Sequence, residues 1–290
     1  MRQIVLKAYA KINLGLDVLG RRPNGYHDVR MIMQSIGLYD RLTLKKMRED
    51  EISLSSNMAT LPNNEHNLVY KAIRLMKEEY QITTGVKAEL EKRIPVAAGM
   101  AGGSTDAAAA LVGMNRLFDL HLSRERLMEL GAKLGADVPY CVMGGTALAE
   151  GVGEILTPLK PMPKCYILIA KPGISVSTRF VYENLEIDKL SYHPDIDGMM
   201  ESIEADDLTG ITDRLSNVLE TVTEKKYPII TKIKNAMLES GAMNSLMSGS
   251  GPTVFGIYAD KESAQNGLSK VREIEMVRNS FIVEPIDLAK

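Results

Sequence analysis

At 290 residues the chain is long for a single core, and two domains are expected. Its 45% hydrophobic and 25% charged residues are ordinary for a globular protein, and 35 basic against 37 acidic residues leave a net charge of -2. That balance speaks against a nucleic-acid or membrane-surface partner and for a small molecule, and no apolar run reaches the length of a membrane span. From the amino terminus, Ile12, Leu14, Leu16 and Val18 alternate with Lys11, Asn13, Gly15 and Asp17, the period of a half-buried strand with Lys11 and Asn13 on the face opposite the apolar one. On that face a lysine and an asparagine read as solvated unless another element converges on them. Arg21-Arg22-Pro23-Asn24-Gly25 carries turn chemistry, and strands are expected at Val29 to Ile36 and at Arg41 to Lys46, a mainly antiparallel meander.

Leu68, Ala72, Leu75 and Met76 recur at helical spacing behind Asn67, and Val86, Ala88 and Leu90 alternate as a strand. That strand leads into Pro95-Val96-Ala97-Ala98-Gly99-Met100-Ala101-Gly102-Gly103-Ser104-Thr105-Asp106, followed by the row Ala107 to Ala110. A glycine-rich loop opening onto a helix, capped by Ser104 or Thr105, has the geometry of a phosphate site, because glycine permits close approach and the first helical N–H groups favour an anion. No lysine follows the last glycine as Walker A requires, and the spacing is not GxGxxG. Taken alone, the loop is equally well read as a tight connection that lets strand and helix pack closely.

A helix from Ser123 to Leu134 is expected to stop at Gly135, and Gly135-Ala136-Asp137-Val138-Pro139 follows, where Asp137 on its own reads as a cap or an Asx turn. Thr157-Pro158-Leu159-Lys160-Pro161-Met162-Pro163 is the linker signal, placing a domain boundary at 160, with domains 1–160 and 161–290. Beyond it a strand at Cys165 to Ala170, helices at Thr178 to Leu185 and Ile229 to Ser240, strands at Asn244 to Met247 and Thr253 to Tyr258, a helix at Lys261 to Val271 and a strand at Asn279 to Val283 describe a small sheet covered by helices. Gly249-Ser250-Gly251 falls between two of those strands and is compatible with a plain hairpin. The two cysteines, Cys141 and Cys165, lie in apolar runs and read as buried small hydrophobes, and with no secretory pattern at the amino terminus a cytoplasmic protein is expected.

Five pieces in order carry a resemblance: Ala10-Lys11-Ile12-Asn13-Leu14, Arg22-Pro23-Asn24-Gly25-Tyr26-His27, Pro95 to Asp106, Gly135-Ala136-Asp137-Val138-Pro139, and Ser248-Gly249-Ser250-Gly251-Pro252-Thr253. Over nearly its whole length the chain resembles the GHMP kinases. The resemblance implies an α+β, two-domain fold, with an N-terminal domain like ribosomal protein S5 domain 2, which binds ATP, and a C-terminal ferredoxin-like α/β sandwich. It implies ATP-dependent phosphorylation of the 2-hydroxyl of a small molecule, 4-(cytidine diphospho)-2-C-methyl-D-erythritol, in the non-mevalonate route to isoprenoid precursors, by a monomer or weak homodimer. Other small-molecule kinases of the family, for homoserine or mevalonate, are the alternative, as is a binding protein that has lost catalysis. Lys11 and Asp137 are implied as the catalytic pair, and residues Pro95 to Thr105 as the ATP loop. Asn13, Tyr26, His27, Thr178, Tyr182, Gly249, Ser250 and Gly251 are implied to contact the substrate. Tyr26 would stack on the pyrimidine and His27 would bind its polar edge. Mg2+ is expected with ATP, with no protein carboxylate evident as its ligand. Met33 stands where some members carry an aromatic residue and reads as a core methionine.

Overall fold

Two long strands organise the chain in the computed structural model, which describes residues 2–287. In chain order the elements are β1 (Gln3–Arg21), β2 (His27–Met47), β3 (Ile52–Ser56), α1 (Leu68–Glu79), β4 (Gly85–Glu91), α2 (Gly102–Phe118), α3 (Arg124–Ala132), α4 (Val138–Met143), β5 (Thr146–Glu150) and β6 (Ile155–Pro158). There follow β7 (Tyr166–Pro172), α5 (Thr178–Glu183), α6 (Ile196–Glu204), α7 (Leu208–Asp213), β8 (Ser216–Asn217), α8 (Glu220–Lys226), α9 (Ile229–Glu239), β9 (Asn244–Met247), β10 (Val254–Tyr258), α10 (Lys261–Arg272) and β11 (Val277–Val283). The chain divides into two compact units, one made of Met1–Ala10, Leu38–Val96 and Ala101–Met143, the other of Lys11–Gly37, Ala97–Met100 and Gly144–Lys290. Both are discontinuous because β1 and β2 each run through both, and the proline-rich stretch at 160 lies inside the second.

In the first unit β4 pairs antiparallel with β2, from Arg41 opposite Glu91 to Met47 opposite Gly85, and parallel with β3. Val86, Ala88 and Leu90 are buried while Lys87, Glu89 and Glu91 face water, the two-residue period expected of a strand with one covered face. The buried face packs with Leu42 and Leu44 against Ile73 and Met76 of α1 and Leu111 and Met114 of α2. α1 begins where Asn67 caps it, its side chain accepting from Val69 N–H at 2.9 Å. All four alanines Ala107 to Ala110 are buried, so the small side chains give α2 close packing on more than one side.

In the second unit β5 pairs antiparallel with Met31 to Gln34 of β2 and with β6, and β8 pairs parallel with β1 at Gly15 and Leu16. A separate antiparallel sheet has the order β11-β7-β10-β9, with α9 and α10 packed on it. Strand, helix, two strands, helix and strand in that spatial order make the ferredoxin-like sandwich, agreeing with the fold class expected.

Several expectations are corrected. The alternation of β1 does not expose one face: residues 10–18 are all buried, because other segments cover both sides of the strand and the polar residues find partners there. The two strands expected at 29–36 and 41–46 are one continuous strand, β2, and the meander is interrupted by parallel pairings of β3 and β8. Neither Ser104 nor Thr105 caps α2, since the helix starts at Gly102 behind Ala101 in the left-handed region. α3 ends at Ala132, short of the expected Leu134, although Ser123 caps it as read. Thr157 and Pro158 belong to β6 and not to a linker. Cys165 is buried, its thiol pushed up to about 12 by burial and by Glu284, whereas Cys141 is only partly covered. Met33 is fully buried, as a core methionine should be.

Candidate active site

In the second unit, stretches far apart in sequence come into contact. The Lys11 ammonium donates to Asn13 Oδ1 at 2.8 Å, and the Asn13 amide donates to Met31 Sδ at 3.2 Å. Lys11 is 6% exposed and Asn13 is 0% exposed, so both have left water with polar partners, as buried charges and amides must. The middle of the glycine-rich loop is tied to the same strand by Lys11 N–H, which donates to Met100 C=O at 3.3 Å. From the other end of the sequence, the Ser248 hydroxyl donates to Gly99 C=O at 2.9 Å. Gly99 has φ +71°, and a Cβ there would stand 2.3 Å from the Ser248 carbonyl oxygen, so the contact requires glycine. Gly249 is in ordinary contact range: a Cβ on it would meet Gly99 O at 3.4 Å and Asn13 Oδ1 at 3.5 Å. Ser250 is reached by Thr178, their hydroxyls 2.9 Å apart. Gly249 to Gly251 do sit in a hairpin connection, with Val254 opposite Met247, but that hairpin presses on Asn13 and Gly99.

The substrate residues implied on β2 and α5 also lie in this unit. Arg22 N–H donates to Tyr26 C=O at 2.7 Å and Tyr26 N–H to Asn24 Oδ1 at 3.1 Å, a tight tip that leaves Tyr26 61% exposed. His27 packs its ring on Tyr182, centroids 5.1 Å apart. Burial, assisted by the charge of Arg21, holds the His27 imidazole below its ordinary 6.5, so at neutral pH it is uncharged with one nitrogen donating and the other accepting.

In the first unit α2 presents the N–H groups of Gly102, Gly103 and Ser104 at the start of a helix of 17 residues, donors that have no acceptor within the helix. Ala101 precedes them at φ 55°, and Ala97 earlier in the loop has φ 51°, both in the region L side chains avoid. Thr105 donates its hydroxyl to Tyr9 C=O at 2.7 Å, bracing the first turn against β1. Asp137 occupies the turn between α3 and α4, where its carbonyl accepts from Cys141 N–H at 3.0 Å.

The same unit holds a buried charge trio that sequence reasoning missed. Lys92 Nζ donates to Asp40 Oδ2 and, at 2.7 Å, to Asp106 Oδ2, while Asp40 Oδ1 accepts from Arg93 N–H and, at 2.8 Å, from Ile94 N–H. Burial raises the Asp106 carboxyl from 3.8 to about 8, Lys92 pulling it down and Asp40 pushing it up, and its Oδ1 is buried without a hydrogen-bond partner. The Asp106 carboxyl therefore keeps its proton at neutral pH. Lys92 and Asp106 bracket the glycine-rich loop in sequence, so their bond joins its two ends. The signal available beforehand was a lysine at 92 in alternation with Leu90 and Ile94, on the apolar phase of the strand, and an aspartate immediately before the alanine row. Among the described residues there is no group of three histidine, cysteine or acidic side chains placed to hold a metal ion.

Residues 67–145 match the family model of the GHMP kinases N terminal domain and residues 199–274 that of the GHMP kinases C terminal. The 4-diphosphocytidyl-2-C-methyl-D-erythritol kinase of Lachnoclostridium phytofermentans is 60% identical over 96% of this chain and 96% of its own. That of Clostridium perfringens is 52% identical over 97% of this chain and 98% of its own. A crystal structure of 4-(cytidine 5'-diphospho)-2C-methyl-D-erythritol kinase is similar at a TM-score of 0.85 and 30% identity, covering 98% of this chain and 100% of the other. Homoserine kinase from Cytophaga hutchinsonii, at a TM-score of 0.79 and 20% identity over 99% of this chain and 95% of its own, shares the fold. Both domain matches in order, on a fold that closes the late glycine turn onto β1 and Gly99, together with identity of this level along almost the full length, establish that the chain belongs to the GHMP kinases.

Proposed function

We propose that the chain transfers the γ-phosphoryl group of ATP to the 2-hydroxyl of 4-(cytidine 5'-diphospho)-2-C-methyl-D-erythritol, giving the 2-phosphate and ADP for the non-mevalonate supply of isoprenoid precursors. The observation that carries this reading is the meeting of Lys11, Asn13, Gly99 and the Ser248 to Gly251 turn. Phosphoryl transfer asks for an oriented hydroxyl, a group to take its proton, and fixed positive or dipolar charge around the phosphoryl oxygens. In this scheme Asp137 takes the proton, Lys11 offsets the charge on the transferring group, and Asn13 orients the hydroxyl. In a loose transition state Asp137 can instead act by positioning the nucleophile alone. Residues Pro95 to Thr105 hold the triphosphate through main-chain N–H groups, and Gly249 to Gly251 offer theirs to the substrate diphosphate. Tyr26 stacks on the cytosine, neutral His27 bonds its polar edge, and Thr178 and Tyr182 complete that end.

Mg2+ bound with ATP would neutralise charge on the phosphates. In this reading the ion is carried in on the nucleotide and held largely by phosphates and water, the usual way this cation is held. No helix among the described residues is long and apolar enough to cross a membrane, and the enzyme is proposed to work in the cytoplasm as a monomer or weak homodimer. Homoserine and mevalonate kinases share the fold but are not expected to carry the Arg22-Pro23-Asn24-Gly25-Tyr26-His27 piece, and the presence of both Lys11 and Asp137 argues against a binding protein without catalysis. The test is ADP release by purified protein with each acceptor in turn. The cytidine conjugate supports turnover, and Asp137→Ala loses about 10³-fold or more in kcat while still binding ATP. Turnover of homoserine or mevalonate without turnover of the conjugate overturns the assignment.

A further inference from the structure

Asn217 of β8 has no part in the chemistry above, yet every polar atom of its side chain is engaged around the late glycine turn. Fully buried, it donates one amide hydrogen to Met247 C=O and the other to Gly249 C=O, both at 2.8 Å, while its Oδ1 accepts from Leu219 N–H at 3.0 Å. Two acceptors on one side and a donor on the other leave the amide a single orientation. The following residues hold the same turn. Glu220 Oε1 accepts from Met247 N–H at 2.8 Å, with its other oxygen on Lys234 at 2.7 Å, and the Thr223 hydroxyl donates to Leu219 C=O at 3.1 Å and reaches Ser250 C=O at 3.4 Å. β8 is itself fastened to β1, with Asn217 opposite Leu16 and Val218 N–H donating to Leu16 C=O at 3.1 Å. One short segment thus ties the strand that bears Lys11 and Asn13 to the turn that lies against Asn13.

The direction of these bonds matters. A trans peptide is planar with its C=O and N–H antiparallel, so a Gly249 carbonyl turned toward Asn217 points Ser250 N–H the opposite way. Ser248 N–H and Gly251 N–H are already engaged, on Thr253 C=O at 2.9 Å and Ser248 C=O at 3.0 Å. Gly249 at φ 58° and Gly251 at φ 87° have wide conformational freedom, which only outside ties can remove. We propose that Asn217 is a positioning residue for phosphoryl transfer: by holding the Met247 and Gly249 carbonyls it aims Ser250 N–H at a phosphate oxygen of the bound substrate while touching no substrate itself. This rests on the kinase reading for what the turn contacts. A donor fixed in advance needs no reorganisation as charge develops, which is where such donors act.

Asn217→Asp keeps the shape and places an acceptor against two carbonyls, Asn217→Ala removes the ties, and Asn217→Gln restores the amide on a longer stem. Each is compared with Tyr258→Phe, which loses a buried hydroxyl bonded to Ser240 and Met237 at the far end of β10. Steady-state kinetics at a temperature where circular dichroism shows each variant folded is paired with hydrogen exchange of the 248–251 amides in the unliganded protein. The expected result for Asp and Ala is a loss of about 10²-fold in kcat with the KM for ATP within about threefold, and faster exchange in the turn. Gln recovers part of kcat, and Tyr258→Phe keeps it. Should no Asn217 variant fold, the near-isosteric Thr223→Val is expected to lose about fivefold in kcat by the same route. A kcat within twofold of wild type, or a loss that Tyr258→Phe shares, overturns the proposal. Wild-type protein inactive on the cytidine conjugate overturns the kinase reading instead, and unchanged exchange in the turn then overturns the positioning role on its own.

Discussion

Asp106→Asn probes the proton held beneath the glycine-rich loop. The amide keeps the carboxyl's shape, offers Lys92 a carbonyl oxygen in the place of Oδ2, and puts an amide group that does not titrate in place of the carboxyl. In the wild type the folded carboxyl sits at about 8 against an ordinary 3.8, so between those values the folded chain keeps a proton that the unfolded chain releases. Because the unfolded state then binds fewer protons, stability falls as pH rises through this window and levels off above it. The slope for one such group is about 1.4 kcal/mol per pH unit, or roughly 4 kcal/mol between pH 5 and pH 8. Asparagine does not titrate, so its stability relative to wild type should climb by that amount over the range and stay level from pH 8 to 9. Urea unfolding of both proteins at unit steps of pH measures this. Hydrogen exchange of α2 amides assigns the change to the first unit, since a chain of two units need not unfold in one step. A difference that is the same at pH 5 and pH 8 would falsify the argument, because it means that the folded Asp106 carboxyl binds no more protons over that range than the unfolded one.

Two other perturbations follow from the second unit. Gly99→Ala drives a Cβ to within 2.3 Å of the Ser248 carbonyl at a positive φ, and should cost about 2 kcal/mol or more in thermal unfolding together with most of the kcat. An alanine variant as stable and active as wild type shows that loop and turn need not touch. His27 is held neutral by burial, so the KM for the cytidine substrate should be flat from pH 6.5 to 8 and rise as the imidazole protonates below its lowered value. His27→Asn should abolish that rise, and a KM that climbs with increasing pH instead contradicts the sign.

Local features were readable in proportion to how local their causes are. Asn67 and Ser123 cap helices because a side chain two or three residues away is all the cap requires, and β4 alternates because only one of its faces is covered. A small sheet covered by helices in the second half was readable from the order of strands and helices, each short and bounded by turn residues, whereas its ferredoxin-like form was implied by the family resemblance. Elsewhere local rules misled. Ser104 and Thr105 have the right chemistry for a cap, but Ala101 adopts the left-handed conformation and the helix starts before them. β2 was divided at 37 to 40, where Gly37 interrupts the pattern, yet Gly37 N–H donates to Glu284 C=O at 2.9 Å, a tie from the far end of the chain.

The motif residues themselves, from Lys11 to Gly251, stood in the linear chain in their order, since residue type and spacing are properties of the chain alone. Burial is not such a property. Lys11 and Asn13 looked like the wet side of a strand, yet both are buried, Asn13 against Met31 and the late glycine turn, and Asn217, Asp40 and Lys92 carried no motif at all. A hydrogen bond across such a separation depends on where two backbones are brought in three dimensions, and folding, through packing of all the intervening residues, sets that distance.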